Sequence, residues 1–405
     1  MARGYNRLPL AAALLATATS ASAAGGIVAG DWTLDIGGIV NAYYTSTKHS
    51  GANSGGYTAG ANDNGQSRQS NITTGLLPNY LVVSGKTRQN DLDVGFTISI
   101  QPGASNKSSL SYSGAGAQEN RQAFFTFGDA SWGSVKMGKD IGVFASDAIL
   151  NDMTLLGVGS AAGPLRGNST TLGRIGSGFI YADFKPQISY TTPNMNGFSA
   201  TAAVTQSWDS TKDIGFASGV GATGGVGSTP GFEGKASYDW TGDVAGKVWV
   251  SGISQKIAGI TSGATAQTAN AYDIGATAST AGFGLTAYAS KGEGIGHQYQ
   301  FRGGLSADGA KRDSDSYFVQ ATYVLPTKTK IGVSYGESNL DMNASDALGN
   351  LTTDMWVVGA YHPLTKHLNL VAEYSDTSDS KAAHGSTAAA ESKSRTVSLG
   401  GILFF

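Results

Sequence analysis

"GSVKMGKD", residues 133–140, carries the most familiar chemical spacing in this chain: G-x-x-x-x-G-K, one position short of a phosphate-cradling loop. The next position should be Ser or Thr, to hold the magnesium that accompanies a nucleotide. Asp140 stands there, and its carboxylate would repel phosphate. "GVGATG" (219–224) spells G-x-G-x-x-G, but it sits in a polar loop and not at a strand–helix junction. Of His49, His297, His362, His367 and His384, only His362 and His367 are near each other, across a turn. Zinc needs three or four converging ligands, so neither a metal nor a cofactor is expected. Cysteine is absent, which removes disulfides, thiolate ligands and thiol nucleophiles. Nothing in the spacing gathers a Ser–His–acid triad, so enzyme chemistry is not expected.

What remains is charge set on alternating runs: Lys136 in "SVKMG", Glu233 and Lys235 in "FEGKASYDW", Glu373 in "LVAEY". Their meaning depends on the elements that hold them. Trp32, Leu34, Ile36, Gly38 and Val40 form one apolar row, and Leu92, Val94, Phe96, Ile98 and Ile100 another. Phe232, Gly234, Ala236, Tyr238 and Trp240 follow, with Glu233, Lys235, Ser237 and Asp239 on the opposite face. Tyr317 to Leu325 and Leu368 to Tyr374 repeat the scheme. A period of two is that of a β-strand with unlike faces. Aromatic residues near the row ends suit interfacial girdles, and rows of about ten residues suit a lipid-facing belt.

Composition agrees. Charged residues make up 14% of the chain, against roughly 25% in ordinary soluble domains. No later segment approaches the 18 consecutive apolar residues of a spanning helix. At the N-terminus, Arg3 and Arg7, an apolar run from Leu8 to Ala18 and Ala21-Ser22-Ala23 have the order of a signal peptide, residues 1–23, cleaved after Ala23. The mature chain, 24–405, then keeps 25 of the 27 basic residues and all 29 acidic ones, a formal charge of −4. Nucleic acid is not an expected partner.

Short turns fall at "RQND" (88–91), "GDASWG" (128–133), "PNMNG" (193–197), "TGDVAG" (241–246), "TAGFG" (280–284), "LPTKT" (325–329) and "HPLTKH" (362–367), with longer polar loops between them. Seven short turns and eight long loops join 16 antiparallel strands. Such a chain closes into a transmembrane β-barrel with short periplasmic turns, and closure leaves no edge. "SRTVSLGGILFF" is its closing strand, ending on Phe405. Sixteen strands enclose a water-filled lumen.

One connection is too long. Asp129 and Pro193 are 64 residues apart, more than any other neighbouring turns. The excess holds Ile149, Leu150, Met153 and Leu156 on one face of a short helix, with Ser146 or Asp147 placed to cap it. An apolar face gains nothing in water, so this third external loop, about 140–178, is expected to fold into the lumen and narrow it.

"GSVKMGKDIGVFASDAILNDM", "LGRIG" and "ISYTTPNMNGFSATAAV" together resemble the general diffusion porins of Gram-negative outer membranes. That resemblance implies a homotrimer of 16-stranded barrels in the outer membrane, among lipid and lipopolysaccharide. Ions and small hydrophilic solutes pass by passive diffusion, and the barrel assembly machinery reads the terminal Phe405. It also implies an eyelet of loop acids facing wall bases. Carried over by motif, Lys139 and Arg174 match wall arginines, Asp152 matches a loop acid, and Tyr80 stands where another wall arginine would be. Leu156 replaces a second loop acid, and the first strand, read as "GDWTLDIGGIVNAYY", has no basic residue.

Strict alternation disagrees at one point: it turns Lys136 inward and Lys139 outward, so an inward Lys139 needs a bulge or strand end near Gly138. Asp140, Asp147, Glu233, Lys235 and Glu373 are the other candidates to face the lumen. With Lys139, Arg174 and Asp152 in the eyelet the local balance would be +1, predicting weak anion preference. A solute-specific channel would show an aromatic track or a basic ladder, and neither is clear. A barrel adhesin or tether, or a barrel enzyme at the rim, would need no open lumen.

Overall fold

The computed structural model describes residues 26–52, 67–103, 118–161, 170–208, 229–258, 265–306 and 308–405. The leader at 1–23 and "GVGATG" at 219–224 lie outside the described residues. The barrel strands are β1 Trp32–Gly51, β2 Tyr80–Gln89, β3 Leu92–Pro102, β4 Gln118–Asp129, β5 Gly133–Ile141, β6 Phe184–Thr191, β7 Phe198–Thr205 and β8 Gly231–Trp240. They continue as β9 Ala245–Ile257, β10 Gln267–Thr280, β11 Phe283–Glu293, β12 Asp313–Val324, β13 Lys330–Leu340, β14 Leu351–Pro363, β15 Leu368–Lys381 and β16 Ala390–Phe404. Each pairs antiparallel with the next, and β16 returns to β1 from Ser392↔Gly51 to Phe404↔Ile39. A closed 16-stranded barrel results.

Phe405 extends that seam, donating its N–H to the Gly38 carbonyl at 3.1 Å and accepting the Gly38 N–H at 2.9 Å. Two short strands are additions. Ile27–Ala29 folds back on Trp32–Leu34, and Arg68–Thr73 pairs with the far half of β1, in line with β2.

Alternation decides which face is which. Phe232, Tyr238, Val250, Ile274, Leu285 and Val319 are exposed, while their chain neighbours Glu233, Ser237, Ser251, Asp273, Thr286 and Phe318 are buried. Leu285 is 60% exposed and Thr286 8%. A closed barrel with its apolar rows outward is solvated by lipid, because closure pairs the strand backbones with one another and leaves no open edge. Trp32–Phe96, Tyr238–Trp240 and Phe283–Tyr323 bring rings together near the short-turn end, centroids 5.4, 6.3 and 4.4 Å apart. Tight turns follow their residues: Asn90 and Asp91 (φ 51° and 62°) and Ala281 and Gly282 (φ 47° and 86°) take the positive φ that two-residue hairpins require.

Between β5 and β6, residues 142–161 and 170–182 lie against the inner faces of the strands. Helix α1, Ser146–Asn151, is followed by a 3₁₀ turn, Met153–Leu156. Ile149, Leu155, Leu172, Ile175 and Phe179 pack on Trp249, Tyr288 and Phe318 of β9, β11 and β12. Met153, Leu156 and Val158 pack on Ile39 and Tyr43 of β1, Met355 and Tyr361 of β14 and Val371 of β15. Each such side chain contributes about 1.5–3 kcal/mol by leaving water. The capping expectation is corrected: Ala145, at φ 63° and with no side-chain bond, is the cap, and Ser146 and Asp147 lie inside the first turn. Ser146 Oγ turns back to the Val143 carbonyl (2.9 Å), and the Asp147 carboxylate goes to distant lysines.

Candidate functional site

Glutamates on the inner wall hold the inserted segment by its backbone. Glu233 of β8 accepts the N–H groups of Val143 (2.6 Å) and Phe144 (2.8 Å) and pairs with Lys185 of β6. Glu373 of β15 accepts Val158 N–H (2.8 Å), Gly159 N–H (2.9 Å) and the Tyr361 hydroxyl (2.6 Å). The approach is so close that a Cβ on Gly157 would stand 2.0 Å from Glu373 Oε1, so a larger residue there would push the carboxylate out of this seat. Asn41 of β1 bridges the gap at 74–79 where β2 is interrupted. Its side chain donates to Leu77 O (3.0 Å) and accepts from Gly75 N–H (2.9 Å), and its backbone N–H donates to Asn79 Oδ1 (2.5 Å). That dip in turn bonds the inserted segment through Leu76 N–H to Gly157 O, 2.8 Å.

Charge pairs and buried hydrogen bonds complete the hold. Asp147 takes Lys235 of β8 (2.8 Å) and Lys247 of β9 (2.5 Å). Arg174 is fully buried: its Nη1 donates to Met355 O (2.9 Å) and Ser177 O (3.1 Å), its Nη2 to Ser334 Oγ, and its guanidinium lies 6.0 Å over the Phe318 ring. Asp152 caps the 3₁₀ turn, accepting Thr154 N–H (2.9 Å) and Thr154 Oγ1–H (2.5 Å).

Along β2–β5 the interior is different. A cavity of about 250 Å³ is lined by Tyr80, Gln122, Phe124, Asp140, Leu155 and Phe184, among others. Beside it, Lys136 Nζ pairs with Asp140 Oδ2 at 2.5 Å and lies 5.4 Å from the Phe124 ring. Gln122 Nε2 donates to Asp140 Oδ1 (3.0 Å), and the Arg121 guanidinium stands 5.6 Å over Phe184.

The sequence candidates therefore separate. Lys136, Asp140, Glu233, Lys235 and Glu373 lie on the inner face and Asp147 on the inserted helix. Lys139 is corrected. The β5–β6 ladder runs unbroken from Ser134↔Thr191 to Ile141↔Phe184, with Lys136 opposite buried Ser189 and Lys139 opposite exposed Pro186. No bulge turns Lys139 inward; Gly138 absorbs local strain with φ 130° instead. Arg174 is corrected too, since it belongs to the inserted segment and not to the wall, and both it and Asp152 are shielded from water. Tyr80 pairs with Ile39 and reaches the cavity. Lys185, Lys247, Gln122, Arg121 and Asn41 escaped sequence reading, although Lys185 and Lys247 sit at polar positions of alternating runs. Among the described residues no three His, Asp or Glu side chains converge as metal ligands. "GSVKMGKD" is strand β5, not a phosphate loop. His362 Nδ1 lies 2.9 Å from Thr329 Oγ1, at the end of the neighbouring short turn.

A closed barrel, apolar outside and polar within, with charged side chains beside an internal cavity, defines a membrane channel. Residues 10–382 match the model of the Gram-negative porin family, and the chain belongs to that family. No curated protein sequence matches significantly. Solved structures of similar fold include the outer membrane channel DcaP of Acinetobacter baumannii (TM-score 0.66, 15% identity, 94% of this chain and 100% of that one). OmpF of Salmonella typhi, in complex with daunomycin, gives TM-score 0.58 at 12% identity over 92% of this chain and 99% of that one. A trimer form of OmpT, an outer membrane protein of Vibrio cholerae, gives 0.50 at 11% over 91% and 99%. This protein is an outer-membrane channel for passive diffusion.

Proposed function

We infer that the segment at 142–161 and 170–182 is the constriction of this channel and that Lys136, Asp140 and Tyr80 meet the ions and small hydrophilic solutes that cross. The observation that carries the reading is the Lys136–Asp140 pair beside an internal cavity, while Glu233, Glu373, Asp147 and Arg174 are spent holding the segment. Selectivity is then weak, because this pair cancels and remote loop charge is screened within about 8–10 Å. The +1 balance expected from Lys139, Arg174 and Asp152 falls away with their placement. The family and the trimer form of a similar fold support a homotrimer embedded in lipid and lipopolysaccharide. The leader supports export with cleavage after Ala23, and the Phe405 seam supports recognition by the assembly machinery. A second reading, a solute-selective channel, is favoured by Phe124 and Phe184 each lying under a cation.

Reversal potential across a KCl gradient tests the main reading. Lys136→Ala should shift preference toward cations by leaving Asp140 without its lysine, and Lys139→Ala should leave it unchanged. The opposite pattern would sink it. Faster permeation of aromatic solutes than of sugars of equal size would favour the second reading.

A further inference from the structure

The interior holds a second inserted segment. Gly294–Arg312 joins β11 to β12, and the connection buries Ile295, Tyr299, Phe301 and Leu305, each 3% exposed or less. Tyr299 belongs to the cluster of Ile149, Phe179, Trp249 and Phe318, while Ile295 and Phe301 pack with Phe144, Ile180, Ile253 and Ala271. Apolar contact thus seals the segment to the first inserted segment on one side and to the wall of β9 and β10 on the other.

Polar contacts fix its position. Tyr181 N–H donates to Gln298 O (3.0 Å), Gln300 Nε2 donates to Ala182 O (3.3 Å), and Lys185, already paired with Glu233, donates to Gln300 Oε1 (2.6 Å). At its outer end Arg312 grips Asp346 with two bonds, 2.9 and 2.5 Å, and bonds Gly303 O at 2.8 Å. A bidentate arginine pair sets direction as well as distance. Phe301 is held at φ 69°, a conformation bulky residues avoid unless the surroundings impose it. A loop passing through water would need none of this.

The two segments cover the inner side chains of β9, β11, β12, β14 and β15. Along β2–β5, Tyr80, Arg121, Gln122, Phe124 and Lys136 stay half-exposed beside the cavity. We propose that the segment at 294–306 and 308–312 is a second constricting element and that solutes cross only along the wall of β2–β5, so that Arg121, Gln122, Phe124 and Lys136 decide what passes. The proposal rests on the channel reading.

The chain has no cysteine, so an introduced thiol is the only one present. The test uses Gln122→Cys and Ser316→Cys in planar bilayers, with a cationic trimethylammonium methanethiosulfonate as probe. Ser316 lies on the inner face of β12 beneath Ile295 and Gly296, 6% exposed. Modification should remove most of the current of Gln122→Cys, while Ser316→Cys should stay unmodified by mass and conduct normally. In the Ser316→Cys background, deletion of 296–303 should expose the thiol and raise unitary conductance about twofold, as a second path of similar width would. Tyr299→Ala with Phe301→Ala loosens the same seat without shortening the chain, should the deletion not fold. Current that survives full modification at residue 122, or a Ser316→Cys that reacts as fast as Gln122→Cys in the intact barrel, would overturn the proposal. A folded barrel carrying no current before modification would overturn the channel reading, and the proposal with it.

Discussion

Replacing Glu373 by alanine should loosen the first inserted segment without touching the barrel ladder. The carboxylate is 4% exposed and accepts three bonds, from Val158 N–H, Gly159 N–H and Tyr361 Oη–H, at 2.8, 2.9 and 2.6 Å. Hydrogen bonds to a charged group contribute about 1.5–3 kcal/mol each. Their sum overstates the loss, because the segment can shift and water can enter. Removing the carboxylate leaves these three buried neutral donors without an acceptor, at about 1–3 kcal/mol each. The lower end for the three together, about 3 kcal/mol, corresponds to roughly a hundredfold rise in the released fraction, since 1.4 kcal/mol is a factor of ten.

Val158 reports that fraction directly. It is 0% exposed beside Glu373, and Val158→Cys would be the only thiol in the chain. When closing is faster than labelling, the labelling rate follows the released population. Glu373→Ala should therefore speed labelling of Val158→Cys about a hundredfold and add brief high-conductance events to single-channel records. Rates that agree within about threefold would mean the carboxylate does not hold the segment, because threefold is well under 1 kcal/mol.

Two further outcomes follow from the same structure. Deleting Phe405 removes the last residue of the β16–β1 seam and its two bonds with Gly38. Folded trimer in the outer-membrane fraction should fall sharply while export across the inner membrane persists, and normal trimer yield would refute this. His297, in the second inserted segment, has its pKa pushed down to about 4 by burial, with Ser338 O (3.1 Å) and Asp315 pulling it back up and Arg302 adding to the fall. A released segment would titrate near the ordinary ~6.5, so seating is intact above that pH and weakens by up to about 1.4 kcal/mol per unit as pH falls toward 4. Unitary conductance at pH 4.5 should show a larger substate absent at pH 7, and His297→Gln should remove the difference.

The wall was legible because its rule is local. Alternation in "FEGKASYDW" is enough to turn Phe232 out and Glu233 in, and Asn90-Asp91 supplies the backbone a two-residue turn demands. The same rule settles Lys136 against Lys139. A motif match fixes a place in the chain, but the unbroken pairing with β6 fixes the face, and parity then leaves no choice. Reading Ser146 or Asp147 as a helix cap failed for the opposite reason. Asp147 is claimed by Lys235 and Lys247, about a hundred residues downstream, and a six-residue helix pinned at both ends tolerates Ala145 as its cap.

The second inserted segment left one sequence signal, Tyr299 and Phe301 inside a glycine-rich loop, which alternation does not weigh. This is also why the site was harder to read than the wall. Parity says that a charge faces inward, and it says nothing of whether another segment covers it. Glu233, Glu373, Asp147 and Arg174 are covered, and once covered a charge must be paired or it destabilises the fold. The ion pairs of Glu233 and Asp147 and the hydrogen bonds of Glu373 and Arg174 are therefore a consequence of the inserted segments and not a selectivity device. On the wall of β2–β5, Arg121 and Lys136 stay half-exposed, and it is there that a fixed charge can act on a passing ion.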